Sequence, residues 1–168
     1  MTQLSIFALV IFVLSTTGVL AASPKSLGVF GKWSTWAYTD NSGNHCFIYS
    51  SPVSKEPASL NHGDVSFFIR AARQTEARSE ASLQTGYALA GNADILVSVG
   101  AQPFHMISSG NGAWLRRTGT RETEFLAALK QERTMTVDAV SGRGNKTRYV
   151  FSLDGVTKAM ARLRQACP

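Results

Sequence analysis

The sequence is poor in the residues from which metal and nucleophilic sites are usually built. It contains only two cysteines and three histidines, which excludes a cysteine-rich scaffold and leaves no familiar zinc-type spacing. Acidic residues are few as well. The 11 Asp and Glu stand against 17 Lys and Arg, for a formal charge of +6, so long-range attraction would act on anions. Beyond residue 20 no apolar run approaches membrane length; the run at 95–99 is strand-sized. No internal repeat or low-complexity tract is present, which excludes a solenoid and a biased linker.

What is present begins with an apolar N-terminus. Residues 4–20 are apolar apart from Ser5, Ser15, Thr16, Thr17 and Gly18. Their cleanest part, 6–14, has the length of a signal-peptide h-region and is short for a span. Val19 and Ala21 place small residues at the −3 and −1 positions of a cleavage site. We therefore expect 1–21 to be a signal peptide, with Ala22 offering a second cut, and 22–168 to be one domain. The periplasm or outer surface is its expected location, with no membrane span after cleavage. Met1-Thr2-Gln3 carries no Lys or Arg, which keeps an uncleaved N-terminal anchor as the alternative.

Cys46 and Cys167 lie near the two ends of that domain. In an oxidising compartment such a pair bridges, whereas free buried thiols belong to cytosolic cores. A loop of this size is worth about 5 kcal/mol on the chain-entropy account.

The pattern along the chain is mostly that of strands. Residues 23–31 read as a loose lead-in. Residues 33–38 and 46–49 form a hairpin across Asp40-Asn41-Ser42-Gly43-Asn44, with Cys46 and Ile48 on one face and Phe47 and Tyr49 on the other. Val65, Phe67 and Ile69 alternate, and 70–82 reads as an exposed polar loop. Leu83, Tyr87 and Leu89 recur at even spacing, then 95–99, Phe104 with Met106, and Trp114 mark further strands. Met135, Val137 and Ala139 alternate, as do Tyr149, Phe151 and Leu153, across the turn 141–146.

Two segments have helical period. Thr120 can cap a short helix carrying Phe125, Leu126 and Leu129. Val156, Ala159, Met160, Leu163 and Cys167 form an apolar stripe with Asp154 as a candidate cap. That stripe turns Cys167 toward the sheet, where Cys46 also points. The expected fold is mainly β: a single-domain β-sandwich or partly open barrel of about eight short strands, one inserted helix and a C-terminal helix.

An ordered set of motifs now accumulates: Trp33-Ser34-Thr35-Trp36, Cys46-Phe47-Ile48-Tyr49-Ser50-Ser51-Pro52, Gly86-Tyr87, Trp114 and Met135-Thr136-Val137. Ser141-Gly142-Arg143-Gly144 follows, and then the run from Tyr149 to Ala159 leading to Cys167. This order resembles the invasion associated locus B family over nearly all of 22–168. The resemblance implies export in an α-proteobacterium and offers no catalytic residues to carry over. The segment 74–80 departs from it in being more charged.

His45 beside Cys46 faces the other way on a strand and cannot activate it. His62, Asp64 and His105 have no metal-site spacing, so no metal and no cofactor is expected. Gly142-Arg143-Gly144-Asn145-Lys146-Thr147 lacks the Gly-Lys-Ser/Thr ending of a phosphate loop and reads as a turn. Asn145-Lys146-Thr147 is a glycosylation acceptor only in a eukaryotic secretory pathway.

The basic charge with Trp33, Trp36 and Trp114 could suit nucleic acid, but the cations are scattered and export removes that partner. Arg143 and Lys146, on the Gly-rich turn, are instead the candidates for binding an anionic surface. The expected partner is a protein or polysaccharide of the envelope or host surface, or anionic lipid headgroups. A non-enzymatic binding protein is the leading reading. A periplasmic inhibitor or accessory subunit comes second, and a cryptic hydrolase third.

Overall fold

The computed structural model describes residues 23–71, 79–116 and 120–168. The expected signal peptide at 1–21 lies outside them, as does 74–78 of the charged segment. Among the described residues there are eleven strands and two helices. The strands are β1 (Lys25–Phe30), β2 (Trp33–Asp40), β3 (Gly43–Ser50), β4 (Ser54–Glu56), β5 (Ser66–Ala71) and β6 (Ser79–Gln84), then β7 (Asp94–Val99), β8 (Gln102–Ser109) and β9 (Gly112–Leu115). After α1 (Arg121–Gln131) come β10 (Thr134–Val140), β11 (Lys146–Ser152) and α2 (Val156–Ala166).

Every pairing is antiparallel, in one open sheet of order β1-β2-β3-β5-β6-β9-β8-β7-β10-β11-β4. Five strands separate β5 from β11 in that order. Laid flat at ordinary strand spacing, the two would lie about 29 Å apart. Yet the Phe67 ring on β5 and the Phe151 ring on β11 have centroids 5.8 Å apart. The sheet therefore coils until its two halves face each other. The Trp33 indole donates to the Ser152 carbonyl at 2.9 Å, and the Lys32 N–H donates to that of Asp154 at 3.0 Å, tying the first hairpin to the end of β11.

The inner face is a single apolar cluster. It follows from strict alternation: in β7, Ile95, Val97 and Val99 are fully buried while Asp94, Leu96 and Ser98 face outward. Each such side chain, fully buried, contributes about 1.5–3 kcal/mol. Phe125 of α1 packs against Phe104 and Phe67, with centroids at 5.0 and 6.0 Å. The second helix lies on β1, β2 and β3 and buries Val156, Ala159, Met160 and Leu163.

The mainly β fold with an inserted and a C-terminal helix is as expected, with eleven strands in place of about eight, and three further details differ. Residues 25–30 are a strand and not a loose lead-in, because their backbone pairs with β2. Residues 79–82 begin β6 and are not loop, since Ala81 and Leu83 turn into the core between β5 and β9. Neither expected helix cap makes a cap bond. Thr120 donates to the Glu124 carboxylate at 2.6 Å instead. At α2 the capping position belongs to Gly155, whose φ of 87° suits glycine; a Cβ there would run into the Phe30 carbonyl.

Candidate functional site

The turn between β10 and β11 is built by its backbone. The Ser141 N–H donates to the Asn145 carbonyl at 2.9 Å, and the Gly144 N–H donates to the Ser141 carbonyl at 2.8 Å. The Asn145 N–H donates to Ser141 Oγ at 3.1 Å. Gly144, at φ 83°, takes the left-handed position. A further bond from the Gly142 N–H to the Ala88 carbonyl, 2.8 Å, docks the turn on the segment after β6. Arg143 and Lys146 stand exposed on this fixed frame. Among the described residues neither has an ion-pair partner.

Beside the turn lies an open cleft of about 720 Å³. Residues 60–62 form one wall, 86–88 another, and Ser141, Gly142, Arg143, Asn145 and Thr147 the third. Close backbone approach joins the first two walls. A Cβ on Gly86 would come within 2.8 Å of the Asp64 nitrogen and of Gly63 Cα. Only glycine lets these loops meet.

Beneath the cleft runs a chain of hydrogen bonds: His62 Nε2 to the Pro57 carbonyl at 3.0 Å, His62 Nδ1 to the Tyr149 hydroxyl at 3.0 Å, Tyr149 to Tyr87 at 2.7 Å, and Tyr87 to Thr147 Oγ1 at 2.8 Å. A carbonyl only accepts, so Nε2 donates to Pro57. In a neutral imidazole Nδ1 then accepts from Tyr149. Tyr149, Tyr87 and Thr147 continue the chain through their hydroxyls, and Thr147 Oγ1 donates to the Ala139 carbonyl at 3.4 Å. Burial above all, and next the hydrogen bond it shares with Tyr87, pushes the Tyr149 phenol above its ordinary value, which keeps it protonated. His62, Thr147 and Tyr149 are buried and Tyr87 half-buried, so the satisfied chain is a stiff floor.

This arrangement places anion-directed polar groups around a cleft, but supplies no pairing of base and nucleophile. Both His62 nitrogens are engaged, and the described residues lining the cleft include no carboxylate. The remaining histidines lie elsewhere. His45 bonds Asp40 and Ser42 at 2.9 and 2.7 Å. The Ser42 hydroxyl, then His45, lower the Asp40 carboxyl to about 2. His105 bonds Asp94 at 2.8 Å on the outer face. Thus His62, Asp64 and His105 are not gathered. Among the described residues no three His, Cys, Asp or Glu side chains form a metal-holding group.

The structure joins Cys46 of β3 to Cys167, just past α2, with their Cα atoms 6.0 Å apart. Sequence reasoning treated the turn with Arg143 and Lys146 as standing alone and missed Asn61, Tyr87, Thr147 and Tyr149 as its neighbours. The available signal was a pair of tyrosines in apolar strand patterns, whose hydroxyls need partners when buried.

A family model described as Invasion associated locus B (IalB) protein matches residues 33–164. Among solved structures, the chain is similar to the crystal structure of invasion associated protein b from Bartonella henselae. That match has a TM-score of 0.58 at 13% identity and covers 84% of this chain and 95% of that one, a likeness of fold. No curated protein matches.

Proposed function

This chain belongs to the invasion associated locus B family, and from that premise we propose that it is an exported, non-enzymatic protein that binds an anionic component of the envelope or of a host surface. The family is one of invasion-associated proteins and is not a known enzyme family. The observation that carries the proposal is the pair Arg143 and Lys146, exposed and unpaired among the described residues on a turn held by backbone bonds. A fixed turn loses little conformational freedom when it binds, so its charges act at low entropic cost. Export is supported by the apolar segment 6–14 with Val19 and Ala21, and by a disulfide of the kind oxidising compartments maintain. No helix among the described residues is long and apolar enough to cross a membrane.

The test is binding to an immobilised anionic polymer as ionic strength rises from about 0.01 M to 0.15 M, which shortens the screening length from about 30 to about 8 Å. Affinity should fall steeply. Replacing Arg143 and Lys146 together by Glu should reduce it further at every salt concentration, with the thermal melt unchanged. Salt-insensitive binding, or full binding by the reversed variant, would contradict the proposal. N-terminal sequencing of protein from the cell envelope should begin at Ala22 or Ser23, and a retained Met1 would contradict export by cleavage.

A further inference from the structure

We infer that the cleft is a subsite for one acidic sugar, a uronate-type residue of an anionic polysaccharide, with Arg143 holding its carboxylate. This rests on the reading above and names its ligand class. The cleft's volume, about 720 Å³, lies within the range of about 300–1,000 Å³ typical of small-ligand sites and is far larger than a lone inorganic anion needs.

The lining sorts the possible ligands. Among the described residues Arg143 is the one Lys or Arg on the cleft wall, which matches a single carboxylate through the planar fork of the guanidinium. A phosphate or sulfate cluster would call for several converging cations. The rest of the lining is mostly hydroxyl, amide and exposed backbone, and its apolar side chains amount to Leu60 and Ala88 beside the Tyr87 ring. That composition gives an acyl chain or an apolar peptide anchor little to bury against. It suits a ligand that carries hydroxyls all round and presents C–H faces to an aromatic ring.

Specific donors are available. Asn61 Oδ1 accepts from the Gly63 N–H at 3.1 Å, which orients the amide and leaves its NH2 group to donate. Ser141 Oγ accepts from the Asn145 N–H and keeps its own hydrogen for a ligand. Tyr87 is fixed through its hydroxyl by Thr147 and Tyr149, so its ring is a set platform. The turn and the floor are assembled before any ligand arrives, and binding does not have to order them.

Calorimetry with a galacturonate tetramer, its methyl ester and phosphatidylglycerol vesicles tests this. The tetramer should bind and the uncharged ester should bind about tenfold or more weakly, since it offers no carboxylate to Arg143. Arg143→Lys keeps the charge but loses the fork. It should weaken tetramer binding about threefold to tenfold, and Asn61→Ala by a similar factor. Both positions are exposed, and unchanged melting would show the fold intact.

Vesicle binding that ignores Arg143→Lys, with no binding of the tetramer, would overturn this inference while leaving the broader anion-binding reading in place. Equal binding of tetramer and ester would overturn the carboxylate role. Absence of binding to tetramer, vesicles and anionic polymer alike would overturn both.

Discussion

The region around the disulfide and the region around the cleft are held together by opposite chemistry. At the disulfide, α2 lays Val156, Ala159, Met160 and Leu163 on the first three strands, and the Cys46–Cys167 bond locks its end to β3. Apolar burial and one covalent link do the work. At the cleft, backbone bonds fix the 141–145 turn, and a hydrogen-bonded run of buried His62, Tyr149 and Thr147 with half-buried Tyr87 supports it. A polar network of this kind places side chains accurately but contributes only about 0.5–1.5 kcal/mol net per bond. The first region is thus held by burial and a covalent link, and the second carries the surface proposed to recognise a ligand.

The largest test of that division is removal of the bridge. Replacing Cys46 and Cys167 together by Ser should lower the unfolding free energy by about 3–5 kcal/mol in denaturant titrations. Hydrogen exchange should show α2 opening first, while anion binding to the folded fraction is retained. Loss of binding in the folded variant would show that the two regions are coupled. Gly155→Ala acts on the same region through the backbone, since the new Cβ meets the Phe30 carbonyl at a left-handed position. It should cost about 3 kcal/mol in the same titration.

The reverse experiment addresses the cleft. Tyr149→Phe removes the hydroxyl between His62 and Tyr87 and leaves His62 Nδ1 buried without its donor. The expected loss of stability is about 1–3 kcal/mol, accompanied by weaker anion binding. That pairing of effects is what the bridge variant should lack.

The smallest effect concerns Asp40, exposed on the β2–β3 turn. Its folded pKa, about 2, lies below an unfolded value of about 3.9. Its contribution is therefore complete above about pH 4 and is lost as pH falls toward 2. Asp40→Asn should flatten the stability profile in that window alone, as thermal melts across pH would show.

The stabilising region was largely legible in the sequence. The apolar spacing from Val156 to Leu163 states a helix with one buried face, and two cysteines in an exported chain state a bridge. Alternation assigned the inner face Met135, Val137 and Ala139 correctly, and the run 95–99 was legible as a strand, though Leu96 in it faces outward. The edge strands were not legible. β4 is three polar residues whose only strand signal is pairing with β11, and β1 has no fully buried residue and a register shift between Ser26 and Gly28.

The cleft was legible only in part. Arg143 and Lys146 announce themselves by charge on a Gly-rich turn. The walls at 60–62 and 86–88 and the tyrosine floor come from segments brought together by the coiling of the sheet. No spacing rule encodes that, and Tyr87 and Tyr149 scan as ordinary strand residues until their hydroxyls are seen to meet.

On the proposed reading, recognition sits at the cleft and not at the disulfide. Amide chemical-shift mapping while the isotope-labelled protein is titrated with a galacturonate tetramer tests it most directly. Shifts confined to 60–64, 86–88 and 141–147, and abolished by Arg143→Glu, are the predicted result. Shifts centred on β2, β3 and α2, with the 141–147 turn unmoved, would contradict it.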